Sequence, residues 1–257
     1  MPDSPEEFYG VILAAGAGKR MGGLTSDRPK ALLDIGGKPL VSYTIGFLRN
    51  VGATHLLALG GFCCDKLQSA VSAIDPDIET ICCDAFGPGG ATLGNFHTLY
   101  QAREKIRGSM MVIVGDHIFR CDIADKIRRA LGAHIAAVTD QDRVLGPDDM
   151  KVKTTADGRW LLCISKTLTE FERGYVGIIW CPERALGDYW SAGEEAIRRF
   201  GNAADVVHPL EILAERGVSV EIVDMSGSWW GEIDTPEDLD RVRKEVGERP
   251  NDYDYDA

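Results

Sequence analysis

VILAAGAGKRMGGLTSDRPKALLDIGGKPL, residues 11–40, begins as a short apolar run and continues into glycines and cations. The apolar run predicts a buried strand, and the glycines predict a turn at its carboxyl end. Gly16 and Gly18 carry no Cβ, so backbone N–H groups there can point at an anion. Arg20 and Lys30 add positive charge, and an arginine can bind phosphate oxygens through two N–H groups. The stretch therefore predicts a cradle for a triphosphate; the alternative is a tight strand-to-helix turn with solvated cations.

The glycine spacing matches neither of two common phosphate-binding motifs. A dinucleotide fingerprint needs G-x-G-x-x-G, and Gly22 falls one residue too late to be its third glycine. The phosphate loop of NTPases needs G-x-x-x-x-G-K-[ST], but Lys19 is followed by Arg20 rather than by Ser or Thr. The glycines alone therefore do not establish a nucleotide site, and a tight strand-to-helix turn remains the alternative.

The composition of the 257-residue chain favours a globular protein that handles a small anion. Its formal net charge of −12 argues against broad binding to nucleic acid or anionic membranes. No apolar run approaches the ~18 residues of a membrane span, and the N-terminal residues do not resemble a signal segment. We therefore expect a cytoplasmic protein with no nucleic-acid or membrane partner. The seven cysteines are odd in number and lack C-x-x-C spacing, so free thiols are expected.

Strand-like and helix-like segments alternate between residues 9 and 140. Apolar strand candidates at 9–16, 53–61 and 109–116 are separated by amphipathic stretches with helical spacing. This alternation predicts an α/β fold with a doubly wound, mostly parallel mixed sheet. In such sheets ligands bind at the carboxyl ends of the strands, and the glycine-rich turn lies at such an end.

We expect a single domain over residues 1–248, with a nucleotide-binding half at about 9–140 and an acceptor-binding half at about 141–248. The second half changes character, because a D-G turn joins two strand-like runs within 150–168. No linker indicates a second independent domain, so a substrate-binding insertion at about residues 141–205 on one nucleotide-binding core is expected. The acidic segment 249–257 is expected to be a disordered tail.

The opening stretch resembles the signature of sugar-phosphate nucleotidyltransferases, whose pattern is LAAGxGxR…PK followed by G-x-P. Three further segments agree in the same order: VIVGDHIF (112–119), YVGIIWCP (175–182) and WWGEIDTPEDL (229–239). The resemblance runs from about residue 9 to about residue 246. It implies a Rossmann-like nucleotidyltransferase fold, and an enzyme that joins a nucleotide to a phosphorylated acceptor with release of pyrophosphate.

Two carboxylates stand where a metal ion would need them. Asp116 follows the most apolar strand candidate, and Asp234 lies ten residues after the strand-like run VSVEIVD. Each alone is ordinary for a turn or a helix cap, but together with the glycine cradle they indicate a shared site. The resemblance implies that both bind Mg²⁺, which prefers hard oxygen ligands.

A narrower resemblance concerns the use of CTP. GNFHTLYQAREKI (94–106) resembles the Asn-x-x-Ser-Leu helix of inositol-1-phosphate and phosphocholine cytidylyltransferases, with Thr98 in place of the Ser. The Gly-x-Ala segment that members using UTP or dTTP tend to carry is missing there. GDHIF (115–119) and ISKTLTEFERGYVGIIW (164–180) resemble the inositol enzymes, although Tyr175 stands where an Asp is expected. This implies Mg²⁺-dependent transfer of CMP from CTP to a phosphorylated alcohol, with inositol-1-phosphate favoured.

Other acceptors and activities stay open. Phosphocholine would need an acidic or aromatic cage for its quaternary ammonium. Aromatic residues at such positions more often belong to the core. The candidates are Trp180, Tyr189, Trp190, Trp229 and Trp230. A phosphonate acceptor is also compatible. Further alternatives are a hexose-1-phosphate transferase that makes a UDP-, GDP- or dTDP-sugar, a molybdopterin-type transferase, and a non-catalytic nucleotide-binding regulator. The sequence does not indicate the oligomeric state, so a homodimer stays open.

The resemblance and the charges together imply roles for the site residues. The nucleophile is an anionic phosphate oxygen, so catalysis would depend on positioning and charge neutralisation. The expected catalytic residues are Arg20 for the β- and γ-phosphates, Lys30 for charge near the α-phosphate, Asp116, and Lys166 for the acceptor phosphate. Nucleotide contacts are expected from Leu13, Ala14, Ala15, Gly16, Gly18, Lys19, Arg20 and Asn95, substrate contacts from Lys166, Glu170 and Glu232, and metal ligation from Asp116 and Asp234.

Overall fold

A computed structural model describes residues 7–87 and 92–255. The strands are β1 (Phe8–Ala14), β2 (Asp34–Ile35), β3 (Lys38–Pro39), β4 (His55–Gly60), β5 (Glu79–Cys82), β6 (Ser109–Val114), β7 (His117–Phe119), β8 (Ile135–Asp140), β9 (Lys151–Thr154), β10 (Leu161–Ser165), β11 (Arg173–Cys181), β12 (Val220–Asp224) and β13 (Trp230–Glu232). The α-helices are α1 (Leu40–Val51), α2 (Cys64–Ile74), α3 (Asn95–Gln101), α4 (Cys121–Ala130), α5 (Leu186–Phe200), α6 (His208–Glu215) and α7 (Pro236–Glu248). Short 3₁₀ turns include Lys19–Thr25, Lys30–Leu32 and Pro250–Tyr253.

The central sheet has the strand order β10-β9-β11-β6-β1-β4-β5, and β8 pairs with β11 and β12. Strands β6, β1, β4 and β5 run parallel to one another, whereas β11 is antiparallel to β6, β8 and β9. Every residue of β1 is buried, as a strand covered on both faces requires. The predicted α/β class with a mostly parallel mixed sheet is confirmed. The strands whose pairings in this sheet are all antiparallel, β9, β10 and β11, come after residue 140.

A small ribbon outside the main sheet decides where the acidic residues lie. Strand β7 pairs antiparallel with β13, and Glu232 stands opposite His117 in its register. Asp116 immediately precedes β7, and Asp234 follows β13 by two positions. The ribbon therefore brings together two segments that are far apart in the sequence.

Helix α7 begins directly after Asp234 with a capping box. The Thr235 hydroxyl accepts a hydrogen bond from the backbone N–H of Asp238, and the Asp238 carboxylate accepts one from the backbone N–H of Thr235. Pro236 occupies the first helical turn, where its missing N–H costs nothing. This helix start fixes the backbone that carries Asp234.

The segment after α7 is ordered as far as the structure describes it, which corrects the expectation of a disordered tail over 249–257. Residues 250–253 form a 3₁₀ turn, and Tyr253 is buried against Tyr43. The Tyr255 hydroxyl donates a hydrogen bond of 2.6 Å to the carbonyl of Phe119 in β7. The contacts of these two tyrosines hold the segment against the fold, although its acidic composition predicted disorder. Residues 256–257 lie outside the described chain.

A disulfide joins Cys64 to Cys82, which corrects the expectation that all cysteines are free thiols. Cys64 begins α2 and Cys82 ends β5, so the bond ties the helix to the sheet edge beside it. The adjacent Cys63 and Cys83 remain free. Pairing across a sheet edge depends on the fold and cannot be seen from the spacing of cysteines along the chain.

Breaking this disulfide is expected to destabilise the fold by about 2–4 kcal/mol, because the bond limits the conformations of the unfolded chain. The Cys82→Ser variant and the wild type with reductant should show the same lowered free energy of unfolding in urea. The Cys63→Ser variant is the matched control and should keep the wild-type value without reductant. If the wild type is equally stable with and without reductant, the bond contributes nothing to folding.

No helix within the described ranges 7–87 and 92–255 is both long enough and apolar enough to cross a bilayer.

Candidate active site

A cleft of about 380 Å³ opens at the carboxyl ends of β1 and β6. Its floor is the loop that follows β1, and its far wall is the start of α3 with the residues before it. All of the nucleotide-binding residues expected from the sequence line it, namely Leu13, Ala14, Ala15, Gly16, Gly18, Lys19, Arg20 and Asn95. Lys30, Asp116 and Asp234 line it as well. The glycine-rich turn, the lysine and both acids therefore share one cavity.

The loop after β1 has the backbone conformation that its glycines permit. Gly18 adopts φ +59°, a left-handed conformation that other residues rarely take. A Cβ added at Gly16 would meet no other atom within 4 Å, so the backbone there is open to the cleft. The Thr25 hydroxyl donates a 2.9 Å hydrogen bond to the Gly18 carbonyl and holds the turn closed. An exposed glycine backbone of this kind can present N–H groups to phosphate oxygens.

Lys30 lies between the two carboxylates at the base of the cleft. Its Nζ donates hydrogen bonds to Asp116 Oδ2 at 2.8 Å and to Asp234 Oδ1 at 2.7 Å. Burial alone would lower the pKa of Lys30, but Asp116 and Asp234 outweigh burial and raise it. Burial alone would raise the pKa of Asp116, but Lys30 and His117 outweigh burial and lower it. The structure thus favours the charged forms of the lysine and of Asp116.

Arg20 reaches the same cluster from the exposed side. Its Nη2 donates to Asp234 Oδ2 at 2.6 Å, and its Nη1 lies 3.6 Å from Asp148 Oδ2 in the loop before β9. More than half of the Arg20 side chain is exposed. An exposed guanidinium above a glycine-lined pocket is well placed to bind an anion that enters the cleft.

His117 and Glu232 extend the cluster beyond the cleft. His117 Nδ1 lies 2.7 Å from Asp116 Oδ1, and one ligand atom each from Asp116, His117 and Glu232 falls within 4.8 Å of the others. Burial is the main reason that the pKa of Glu232 is raised. Glu232, expected from the sequence as a substrate residue, is therefore brought beside the acids. His117 was not singled out by sequence reasoning, although its position next to Asp116 was the available signal.

The donor set fits a divalent cation. Asp116 and Asp234 offer carboxylate oxygens that already meet at a single ammonium nitrogen, so one ion could contact both. Carboxylate oxygens are the ligands that Mg²⁺ prefers, and the cleft leaves room for phosphate oxygens and water to complete its shell.

Two of the predicted substrate residues lie elsewhere. Lys166 lines a second pocket, between β10 and α6, together with Asp205 and His208. Glu170 is largely exposed and pairs with Lys153 at 2.7 Å. Neither side chain is among those lining the cleft in the described chain. Their predicted contacts with the acceptor stay predictions.

Asn95 connects the cleft wall to the second half of the chain. Its Oδ1 accepts a 2.8 Å hydrogen bond from the backbone N–H of Val206. Sequence reasoning missed other wall residues. Among the described residues that line the cleft, Phe86, which is 42% exposed, is the one with an aromatic ring. Short apolar side chains in an irregular loop carry no periodic pattern that would have indicated them.

The aromatic residues considered for a choline cage mostly belong to the core. Tyr189 is fully buried, and Trp180 and Trp230 are each 8% exposed. The Trp230 ring stacks on the His117 ring with centroids 5.4 Å apart. Trp230 therefore contacts the acidic cluster through His117 and supports that ring.

Comparisons with known proteins fit this geometry. The MobA-like NTP transferase domain matches residues 10–225. The "Bifunctional IPC transferase and DIPP synthase" of Aquifex aeolicus (strain VF5) is 25% identical over 236 residues, which cover 91% of this chain and 50% of that protein. The "UTP--glucose-1-phosphate uridylyltransferase AglF" of Haloferax volcanii is 22% identical over 255 residues, which cover 93% of this chain and 96% of that protein. The chain therefore spans half the length of the Aquifex relative and nearly all of the Haloferax relative.

A solved structure has the same architecture. The "inositol-1-phosphate CTP transferase from T. maritima" superimposes with a TM-score of 0.76 at 20% identity, covering 95% of this chain and 98% of that chain. At this level of identity the likeness concerns the fold. It agrees with the Rossmann-like nucleotidyltransferase fold expected from the sequence.

Proposed function

Because the chain belongs to the MobA-like NTP transferase domain family, we propose that it transfers CMP from CTP to a phosphorylated alcohol and releases pyrophosphate. The observation that carries the proposal is the meeting of the glycine loop with Asp116 and Asp234 in one cleft. A nucleoside triphosphate needs such a combination of N–H donors, cations and metal-binding carboxylates. The enzyme class expected from the sequence, a nucleotidyltransferase, agrees with the family.

The reaction is a displacement at the α-phosphorus of CTP. An oxygen of the acceptor phosphate forms a bond to phosphorus, the bond from phosphorus to the bridging oxygen breaks, and the electron pair leaves with pyrophosphate. The nucleophile is already anionic, so no strong general base is required, and positioning and charge neutralisation supply the rate. Arg20 and the backbone N–H groups of residues 15–20 would hold the β- and γ-phosphates. Lys30 would neutralise charge near the α-phosphate.

Asp116 and Asp234 would hold a divalent cation, with Mg²⁺ as the expected ion. When bound, the ion neutralises phosphate charge. Lys30 keeps both carboxylates fixed through its two hydrogen bonds, so the metal ligands are held in place by a residue that also serves the substrate.

The choice of CTP is supported by the residue pattern of 94–106, whose Asn95 lies in the cleft wall. Inositol-1-phosphate is the favoured acceptor because of the segments around Asp116 and Lys166, and phosphocholine and phosphonates remain candidates. A second candidate function is transfer of UMP to a hexose-1-phosphate. The named activity of the Haloferax relative, which matches along nearly its whole length, favours that alternative. The cytoplasmic location expected from the sequence stays a prediction.

An assay of substrate pairs tests the proposal. CTP, UTP, GTP and dTTP are each combined with inositol-1-phosphate, phosphocholine, 2-aminoethylphosphonate and glucose-1-phosphate, with Mg²⁺ present, and released pyrophosphate is measured. We expect CTP with inositol-1-phosphate to give the fastest turnover. Faster turnover with UTP and glucose-1-phosphate would favour the second candidate. No pyrophosphate from any pair, with nucleotide binding retained, would indicate a non-catalytic nucleotide-binding protein.

A further inference from the structure

Charged side chains and His117 form a continuous line through the site. Arg20 contacts Asp234, and Lys30 contacts both Asp234 and Asp116. From Asp116 the line continues through His117 to Glu232, and it ends at Arg143, whose Nη1 lies 3.9 Å from Glu232 Oε2. The line thus has a guanidinium at each end and the metal-binding carboxylates between them.

The two ends of the line differ in their surroundings. Arg20, Lys30, Asp116 and Asp234 line the nucleotide cleft, whereas Arg143 is not among the described residues that do so. The triphosphate would occupy the Arg20 end. The reaction also needs a second anion, the phosphate of the acceptor, close to the same carboxylates. Arg143 is the cation on the side that the nucleotide leaves free.

The guanidinium of Arg143 is held in position while its donors stay unused. It lies 4.3 Å above the centroid of the Trp230 ring, a cation–π contact that fixes its plane. Its distance of 3.9 Å to Glu232 exceeds hydrogen-bond range, and its side chain donates no hydrogen bond to the described residues. A planar, fixed guanidinium with free donors matches a phosphoryl group, which it can bind through two oxygens.

The loop that carries Arg143 is itself anchored. Asp140 at the end of β8 accepts a hydrogen bond from the indole N–H of Trp230, the ring on which Arg143 stacks. The backbone N–H of Gln141 donates to the Ser226 hydroxyl at 3.0 Å, and Asp142 accepts from the backbone N–H of Gly227 at 2.6 Å. Arg143 therefore sits on a fixed turn.

We propose that Arg143 binds the phosphoryl group of the acceptor and so marks the acceptor side of the active site. This inference rests on the proposed function, because it assumes that a second, phosphorylated substrate meets the nucleotide at Asp116 and Asp234. It specifies the acceptor by its dianionic phosphoryl end, whatever alcohol that end carries.

Arg159 provides a matched control. It stacks on Trp160 at 4.5 Å and lies 3.4 Å from Glu221 Oε1, so it shares the arginine–tryptophan–glutamate arrangement of Arg143. It belongs to the turn between β9 and β10 and does not touch the acidic cluster. The Arg143→Lys, Arg143→Gln and Arg159→Gln variants therefore separate phosphate binding from general loss of a stacked arginine.

The test measures initial rates of pyrophosphate release with CTP and inositol-1-phosphate, varying each in turn. We expect Arg143→Gln to raise KM for inositol-1-phosphate by about 10- to 100-fold, the effect of losing hydrogen bonds to a charged group, while KM for CTP stays within about twofold. The Arg143→Lys variant should have a KM for inositol-1-phosphate between those of the wild type and Arg143→Gln, because lysine keeps the charge but lacks the planar guanidinium. Arg159→Gln should behave as the wild type. An unchanged KM for the acceptor in Arg143→Gln would overturn the proposal.

Calorimetric titration distinguishes a failure of the role given to Arg143 from a failure of the proposed transferase activity. Inositol-1-phosphate, phosphocholine and glucose-1-phosphate are titrated into the full chain saturated with Mg²⁺ and a non-hydrolysable CTP analogue. Arg143-dependent binding without turnover would support the assignment and count against the proposed activity. If the wild type binds the nucleotide but none of these phosphate esters, the assignment of Arg143 is wrong.

Discussion

Replacing Lys30 with methionine is expected to lower the rate of pyrophosphate release by about 100- to 1,000-fold, the usual loss when a charge-stabilising donor is removed from an active site. Lys30 is the cation that contacts both Asp116 and Asp234, and its side chain is only 14% exposed. Methionine keeps much of the side-chain length and volume. The rate loss therefore reports the missing charge rather than a cavity.

The same substitution should also destabilise the fold in the absence of metal. Removing one partner from a buried charge cluster typically costs about 3–5 kcal/mol, because the remaining charges lose their compensation. Here two carboxylates would face each other without the ammonium between them. A bound divalent cation would supply the missing charge, so Mg²⁺ should restore more stability to Lys30→Met than to the wild type.

Urea unfolding with Mg²⁺ and with EDTA measures this difference. Lys66→Met is the matched control, because Lys66 also pairs with an aspartate, Asp27 at 3.1 Å, but lies on an exposed surface. Its unfolding free energy should change by less than about 1 kcal/mol and should not depend on the metal. Full activity in Lys30→Met, or a loss of stability that Mg²⁺ leaves unchanged, would contradict the role given to the lysine.

Asp116→Asn is expected to reduce turnover by about a hundredfold or more and to abolish metal binding in the cleft. Asparagine preserves the shape of the side chain but removes the negative charge that attracts a divalent cation. Lys30 would keep Asp234 as its partner, so the fold should survive better than in Lys30→Met. The two variants therefore separate the loss of the metal ligand from the loss of the cation.

Electron paramagnetic resonance with Mn²⁺ in place of Mg²⁺ gives a readout that does not require turnover. The wild type should bind Mn²⁺ in the presence of CTP, and Asp116→Asn should leave the ion free in solution. Asp75→Asn removes a carboxylate that pairs with Arg49 at 2.8 Å outside the cleft, and should bind Mn²⁺ as the wild type does. Retained Mn²⁺ affinity in Asp116→Asn would show that the cation site lies elsewhere.

The parts of the site that sequence reasoning found are those with a local signal. The apolar run of β1 predicted a buried strand, and Gly16 and Gly18 predicted an open turn at its end, where the structure has both. Asp116 was found because it ends an apolar strand. Asp234 was found from its distance after VSVEIVD and from the family resemblance.

The features of the site that sequence reasoning missed depend on contacts between segments far apart in the chain. Glu232 meets His117 only through the pairing of β7 with β13, which neither short segment predicts alone. Arg143 lies in a polar loop without hydrophobic periodicity, so the sequence pattern does not predict its stacking on Trp230. The acidic composition of the last residues concealed Tyr253, which is buried, and Tyr255, which packs partly buried against the core.

The β7–β13 ribbon has a consequence for biosynthesis. Asp116 emerges from the ribosome long before Asp234, and the strand that carries the second acid can pair only after nearly all of the central sheet has been made. A polypeptide stopped between the two would contain the glycine-rich loop but only one of the two carboxylates that we propose to bind the cation. The catalytic centre would thus mature last, and a truncated product would be incompetent for transfer even where its early strands had folded.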